Sequence, residues 1–390
     1  MTTNQRGILT LIRSALTGEK LALPQDFSLE EADKLIRSQT LLPLCYQGAY
    51  LCGQDPKSEI MQSWQKDYFK YLIRSQRQLT AVNKITQAFD AAGIDYLPLK
   101  GCVMKPLYPQ PELRVMGDAD ILIRLDQYDR IKPIMTRLGF VPVKESSYDL
   151  VWQNDSLYLE LHKSVMSPAE KDLFRYFGDG WQLARQERGS RWQFSPEDTF
   201  AYIFTHMAKH FRFCGIGARQ VVDLWVYRRA HPEMAEEKIL EAMERMHLGD
   251  FYRNILRLLS VWFADAPTDD VTDFITEYIF SSGNFGSTEN KMRSEAVIRE
   301  NGGESRSRAS SLKNLLFPRL YIMQLSYNVL YRAPWLLPVM WVYRWFDVLL
   351  HRRGNILRRF RTAGSMTQDT VDSHRRMLNY MGLEYHYEEE

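Results

Sequence analysis

Gly117-Asp118-Ala119-Asp120-Ile121-Leu122-Ile123 is the stretch on which the fold turns. Side chains on an extended chain alternate between faces, so Asp118 and Asp120 share one face while Ala119, Ile121 and Ile123 point to the other, into a core. Two carboxylates side by side repel, and on an apolar strand that repulsion needs a compensating charge. A hard divalent cation, Mg²⁺ or Mn²⁺, takes oxygen ligands of this kind, usually one or two carboxylates together with substrate phosphates.

Upstream, Tyr96-Leu97-Pro98-Leu99 reads as a short strand leading into Lys100-Gly101. Downstream, Asp126 is placed to cap a helix carrying Tyr128, Ile131, Ile134, Met135 and Leu138 and stopping at Gly139, after which Phe140 to Val143 returns to strand character. Asp149 to Gln153 and Leu157 to His162 flank the turn Asn154-Asp155-Ser156. Within Tyr158-Leu159-Glu160-Leu161-His162, the two leucines face one side and Tyr158, Glu160 and His162 the other. If this strand lies beside that of Asp118, Glu160 joins the aspartates as a third carboxylate, and three carboxylates holding two ions form a clamp for in-line displacement at phosphorus.

The flanks are helical. Ser28 with Glu31 forms a capping-box pattern, and Ser58 opens a run of Met61, Trp64, Tyr68, Leu72, Leu79, Val82, Ile85 and Phe89 that stops at Gly93. Strand signals fade after Lys163, where Ser167-Pro168 and Ser195-Pro196 each start a helix. The predicted class is α+β, a small mixed sheet embedded in a mainly helical chain. Its divisions are a helical region over 1–92, an α/β core over 93–166 and a helical region over 167–390 with a flexible loop about 281–311.

Composition excludes more than it names. The 390 residues are 45% hydrophobic, 13% aromatic and 25% charged, which is globular. A net charge of +2 advertises no nucleic-acid partner. The four cysteines, Cys45, Cys52, Cys102 and Cys214, lack zinc or redox spacing, and no signal-peptide pattern precedes them, so the expected location is the cytoplasm. The Trp- and Leu-rich run from Ala333 to Leu350 is interrupted by Pro334, Pro338, Arg344 and Asp347. It reads as a helix packed in a core, the alternative being weak membrane-surface contact through 333–361 with a basic flank.

Leu99-Lys100-Gly101, Tyr108, Arg114, Met116-Gly117-Asp118-Ala119-Asp120 and Leu159-Glu160-Leu161-His162 resemble a group of largely uncharacterised bacterial nucleotidyltransferases within the superfamily typified by DNA polymerase β. The strong part of the resemblance covers about Ile94 to Lys163. It implies transfer of a nucleoside monophosphate from an NTP, ATP being the expected donor, to an unknown acceptor hydroxyl. It also implies that Asp118, Asp120 and Glu160 hold metal and that Lys100, Gly101 and Arg114 meet the nucleotide. Cys102 departs from the Ser or second Gly of the common superfamily turn, and the interval from Gly101 to Asp118 is longer than usual. The rival reading is a non-catalytic nucleotide-sensing or partner-binding protein on the same fold, with membrane-surface association as a further option.

His162, His206 and His210 are candidates for the acceptor site. His206 and His210 stand four apart on one helix face, though without the intervening Glu of a zincin, and core packing is the plainer reading. Arg219 and Asp223, also four apart, read as a helix-face ion pair.

Overall fold

The computed structural model describes residues 1–146, 149–167, 170–283, 286, 290–291, 293–294, 316–320, 323, 327, 329–351 and 368–383. Four helices lead: α1 (Thr3–Thr17), α2 (Leu29–Ser38), α3 (Leu42–Leu51) and α4 (Glu59–Ala92). Ser58 caps α4 by accepting from the Met61 N–H, and Gly93 ends it at φ 59°, a left-handed conformation that costs glycine least. Ser28 caps α2 by accepting from the Glu31 N–H, and its hydroxyl donates to Glu30; this is one half of the expected capping box, without the reciprocal bond from the Ser28 N–H to the Glu31 side chain.

The sheet begins with β1 (Tyr96–Leu99), followed by the short helix α5 (Lys100–Met104), then β2 (Ala119–Ile123), α6 (Tyr128–Arg137), β3 (Val141–Glu145), β4 (Asp149–Gln153) and β5 (Tyr158–His162). Asp126 lies in a single 3₁₀ turn ahead of α6 and caps nothing. After α7 (Lys171–Phe177) come β6 (Arg185–Arg188) and β7 (Arg191–Gln193), two strands where none is expected past Lys163. They are short and rich in Arg, Gln and Glu, β6 being exposed and β7 half-buried around Trp192, so no apolar alternation announces them. The seven strands run in the order β3-β4-β5-β2-β1-β7-β6, with β2–β5 and β1–β7 parallel and the remaining pairs antiparallel. The protein is α+β, a small mixed sheet in a mainly helical chain.

Helices α8 (Pro196–Phe213), α9 (Ala218–Ala230), α10 (Glu236–Arg245), α11 (Gly249–Phe263) and α12 (Asp270–Ser282) follow, then α13 (Leu337–His351) and α14 (Gln368–Tyr380). Ser281 and Ser282 close α12. Most of the remaining 283–311, the expected flexible loop, lies outside the described residues, as does Pro168 of the expected Ser167-Pro168 helix start.

The two faces of the sheet pack differently. Tyr96, Ala119, Ile121, Ile123, Leu159 and Leu161 bury against Ile85 and Phe89 of α4 and Ile131 and Met135 of α6. Leu97, Leu99 and Leu122 belong to a larger core shared by α1–α3 and α8–α12. Buried Gln39, just past α2, ties these helices together: its amide donates to the carbonyls of Ile279 and Phe280 and accepts the Ala218 N–H at the start of α9. The acidic residues lie on this second face.

Candidate active site

Parallel pairing of β2 with β5 sets Asp120 opposite Glu160 and Leu122 opposite His162, while antiparallel β1 sets Leu99 opposite Asp120. Asp120, Glu160 and His162 therefore share a face by strand register alone. Asp120 is 2% exposed, so the acidic strand is buried between layers. Its Oδ1 accepts from Lys100 Nζ at 2.8 Å and lies 2.8 Å from His162 Nε2, which is 3.6 Å from Glu160 Oε2. One ligand atom from each of Asp120, Glu160 and His162 lies within 4.8 Å of the others. Asp118 sits just ahead of β2, half-buried, and is not one of that compact set.

Lys100 takes φ +36°, a left-handed backbone that a side-chain-bearing residue adopts at a cost of about 1–3 kcal/mol. It follows β1 directly, so its ammonium reaches Asp120 across the strand end. A Cβ on Gly101 would come 2.8 Å from Met116 Sδ and 3.2 Å from Arg114 Nη1, so that space is already taken by side chains from the loop before β2. Gln78 on α4 donates to the Met116 carbonyl and fixes this loop.

The charges respond to burial and to one another. Burial raises the Glu160 carboxyl to about 7, with Asp120's charge adding to the rise. Burial and then Asp120 push Asp118 upward too. Burial works against the charge of Asp120, but Lys100 and His162 overcome it and hold that carboxyl well below the ordinary range. Cys102 is pushed up to about 12 by burial and by Asp120, so it stays a neutral thiol.

Helix α8 faces the acidic strands with Tyr202, His206 and His210 at helical spacing; the rings of His206 and His210 are 4.4 Å apart. His206 borders the cleft and is not confined to core packing. Burial, followed by the nearby Lys100 charge, depresses both imidazoles, His210 to about 4. A histidine depressed in the folded state takes up its proton sooner when unfolded, so its stabilising contribution is complete above pH 6.5 and is lost as pH falls toward 4. Urea midpoints should drop over that window, and His210→Asn should flatten the slope. Parallel curves would remove His210 from the account.

Arg114, expected to meet the nucleotide, lines the cleft and is also paired within the protein. Its guanidinium is 5% exposed and makes a two-pronged pair with Asp223 of α9, Nε to Oδ1 and Nη2 to Oδ2, both 2.8 Å. Tyr108 donates to the same Oδ1 at 2.7 Å. With Asp223 engaged this way, Arg219 stands 3.7 Å from Asp223 Oδ2, and its buried Nε has no hydrogen-bond partner. The helix-face pair read from the i,i+4 spacing is thus the weaker of two. No local pattern could have revealed this, because Arg114 and Asp223 are 109 residues apart.

Lys100, Arg114, Asp118, Asp120, His206, Arg219 and Asp223 border one cleft, and Glu160 and His162 stand beside Asp120 without lining it. Lys100, Gly101, Asp118 and Asp120 form its sheet-side wall; His206, Arg219 and Gln220 lie across from them. A family model described as an uncharacterised nucleotidyltransferase matches residues 25–264. The chain belongs to that family. No curated protein matches it. The solution structure of the antibiotic-resistance factor ANT(2'')-Ia aligns with 48% of this chain and 97% of its own, at 14% identity and a TM-score of 0.33, too loose a likeness to place residues. The match to this nucleotidyltransferase family takes in the whole sheet and α8–α11, and stops before α12.

Proposed function

We propose that the cleft transfers a nucleoside monophosphate from an NTP, with ATP the expected donor, to an acceptor hydroxyl, releasing pyrophosphate. The observation that carries this reading is the β2–β5 register, which stands Glu160 beside Asp120, while Asp120 lines a cleft that Arg219 also borders. Asp118, Asp120 and Glu160 form an all-oxygen donor set, and a cation would relieve the repulsion that keeps two of them raised, so the residues fit Mg²⁺ or Mn²⁺. Bound there, one or two such ions would supply charge neutralisation on the phosphates and polarise the acceptor hydroxyl.

Lys100 and Arg219 grip the phosphates from opposite walls. Arg219 suits this because its guanidinium is planar, only loosely engaged and still short of a partner at Nε. Arg114 acts one step back, holding Asp223 so that Arg219 is left for the ligand. Glu160, with its carboxyl near 7, is also poised to take the proton of the acceptor hydroxyl. His206, kept neutral by burial, and His162 offer ring nitrogens that orient the acceptor.

The test is transfer of label from α-³²P NTPs in the presence of Mg²⁺, with and without chelator. Turnover should require the metal, and Arg219→Ala should raise the NTP KM by about 10-fold or more, the loss of one charge-assisted contact, at nearly unchanged melting temperature. An unchanged KM removes Arg219 from the phosphate site. Tight, metal-dependent nucleotide binding without transfer to any acceptor would make the protein a sensor instead.

A further inference from the structure

The exposed side of α13 is its apolar side. Trp335 in the preceding 3₁₀ turn is 75% exposed, Val339 61%, Tyr343 58% and Phe346 62%. Pro338 and Val342 are exposed as well, and these six positions recur at helical spacing on one face without a charged residue among them. The flank of this face is already engaged, and Tyr343 at its edge meets the Tyr327 ring at 6.0 Å. The Trp341 and Trp345 indoles donate to the carbonyls of Pro318 and Leu316 at 2.8 and 2.7 Å, and the Phe317 ring lies 5.2 and 5.1 Å from the two indole rings. This reverses the usual order, in which a surface helix turns its apolar stripe inward, and it overturns the reading of Ala333 to Leu350 as a core helix. A contiguous exposed apolar patch marks a docking surface.

We infer that this face of α13 docks onto an anionic lipid surface, with Trp335, Tyr343 and Phe346 in the headgroup region. Trp and Tyr favour that region because their rings combine an apolar body with a polar edge. Charge points to an anionic surface: the sequence that follows α13, outside the described residues, carries Arg352, Arg353, Arg358, Arg359 and Arg361 and no acidic residue before Asp369. The helix is 15 residues, about 22 Å long, against a hydrocarbon thickness of about 30 Å, so it lies on a bilayer and does not cross it. Among the described residues no helix is long and apolar enough to span one. α13 also lies outside the family-matched segment, and none of its residues is among those lining the cleft.

Flotation of the full chain with phosphatidylcholine vesicles, with and without phosphatidylglycerol, tests the inference. The wild type should float with the anionic vesicles and far less with the neutral ones, and high salt should weaken binding. The triple variant Trp335→Ser, Tyr343→Ser, Phe346→Ser should lose binding by about tenfold or more. Gln at the five arginines should remove the preference for anionic lipid, and this variant keeps every side chain of the exposed face. Wild-type protein remaining at the bottom with both vesicle types overturns the inference, as does a triple variant that floats equally well. A wild-type dimer that the triple variant converts to monomer, without vesicle binding by either, would assign the face to a second copy of the chain and equally overturn it.

Discussion

Asp118→Asn is expected to leave the protein at least as stable as the wild type while lowering Mg²⁺-dependent pyrophosphate release by about 10³-fold, on the order of 4 kcal/mol of transition-state stabilisation. The two effects have one origin. Burial and Asp120 both disfavour the Asp118 carboxylate, so removing its charge relieves repulsion in the folded state. The same removal subtracts an oxygen from the cation site. Asp120→Asn should lose activity as completely but should also lose about 2 kcal/mol of stability, because Asp120 is the counter-charge of Lys100 and accepts its hydrogen bond. Thermal melts beside pyrophosphate assays separate the two variants. Undiminished turnover in Asp118→Asn would confine the cation site to Asp120, Glu160 and His162, whose ligand atoms already lie close together. Undiminished turnover in both variants would end the nucleotidyl-transfer proposal.

The largest stability effect should come from Asp223. Asp223→Ala leaves Arg114 buried and uncompensated and strips the Tyr108 hydroxyl of its acceptor, so the loss should reach about 3–5 kcal/mol. Arg114→Ala should cost a similar amount by stranding the carboxylate. The double variant should cost clearly less than the sum, since the second substitution removes a charge already unpaired. Urea unfolding of the four proteins measures this coupling. If Arg114→Ala instead unfolds like the wild type and raises the NTP KM, Arg114 is the phosphate ligand that its place in the motif suggests, and Arg219 is not.

Sequence by itself determined the local architecture of the centre. Alternation told which side chains of 119–123 and 158–162 face the core, because that pattern follows from the two-residue period of an extended chain. Serine at 58 and 195 and glycine at 93 set helix ends through hydrogen bonds made within a few residues. The nearness of Asp120 to Glu160 was a conditional expectation, and only the parallel register of β2 on β5 made it definite. β6 and β7 carry no apolar alternation, being three or four mostly polar residues each, and their place in the sheet comes from the pairing of β7 with β1 and of β6 with β7.

Charge pairing was the least legible feature. From the chain alone Arg114 is a cation within a motif and Arg219 the partner of Asp223 four residues on. The folded protein reverses these parts, because the approach of the loop before β2 to α9 gives Asp223 a better-aligned fork than its own helix does. The outward face of α13 is of the same kind. Periodicity shows that 333–350 has an apolar side, but burial depends on what packs against it, and the contact with Leu316, Phe317 and Pro318 occupies its flank. Strand faces and helix caps are settled between near neighbours in the chain. Which charge meets which, and which apolar face is left uncovered, is decided only when distant segments compete for the same surface.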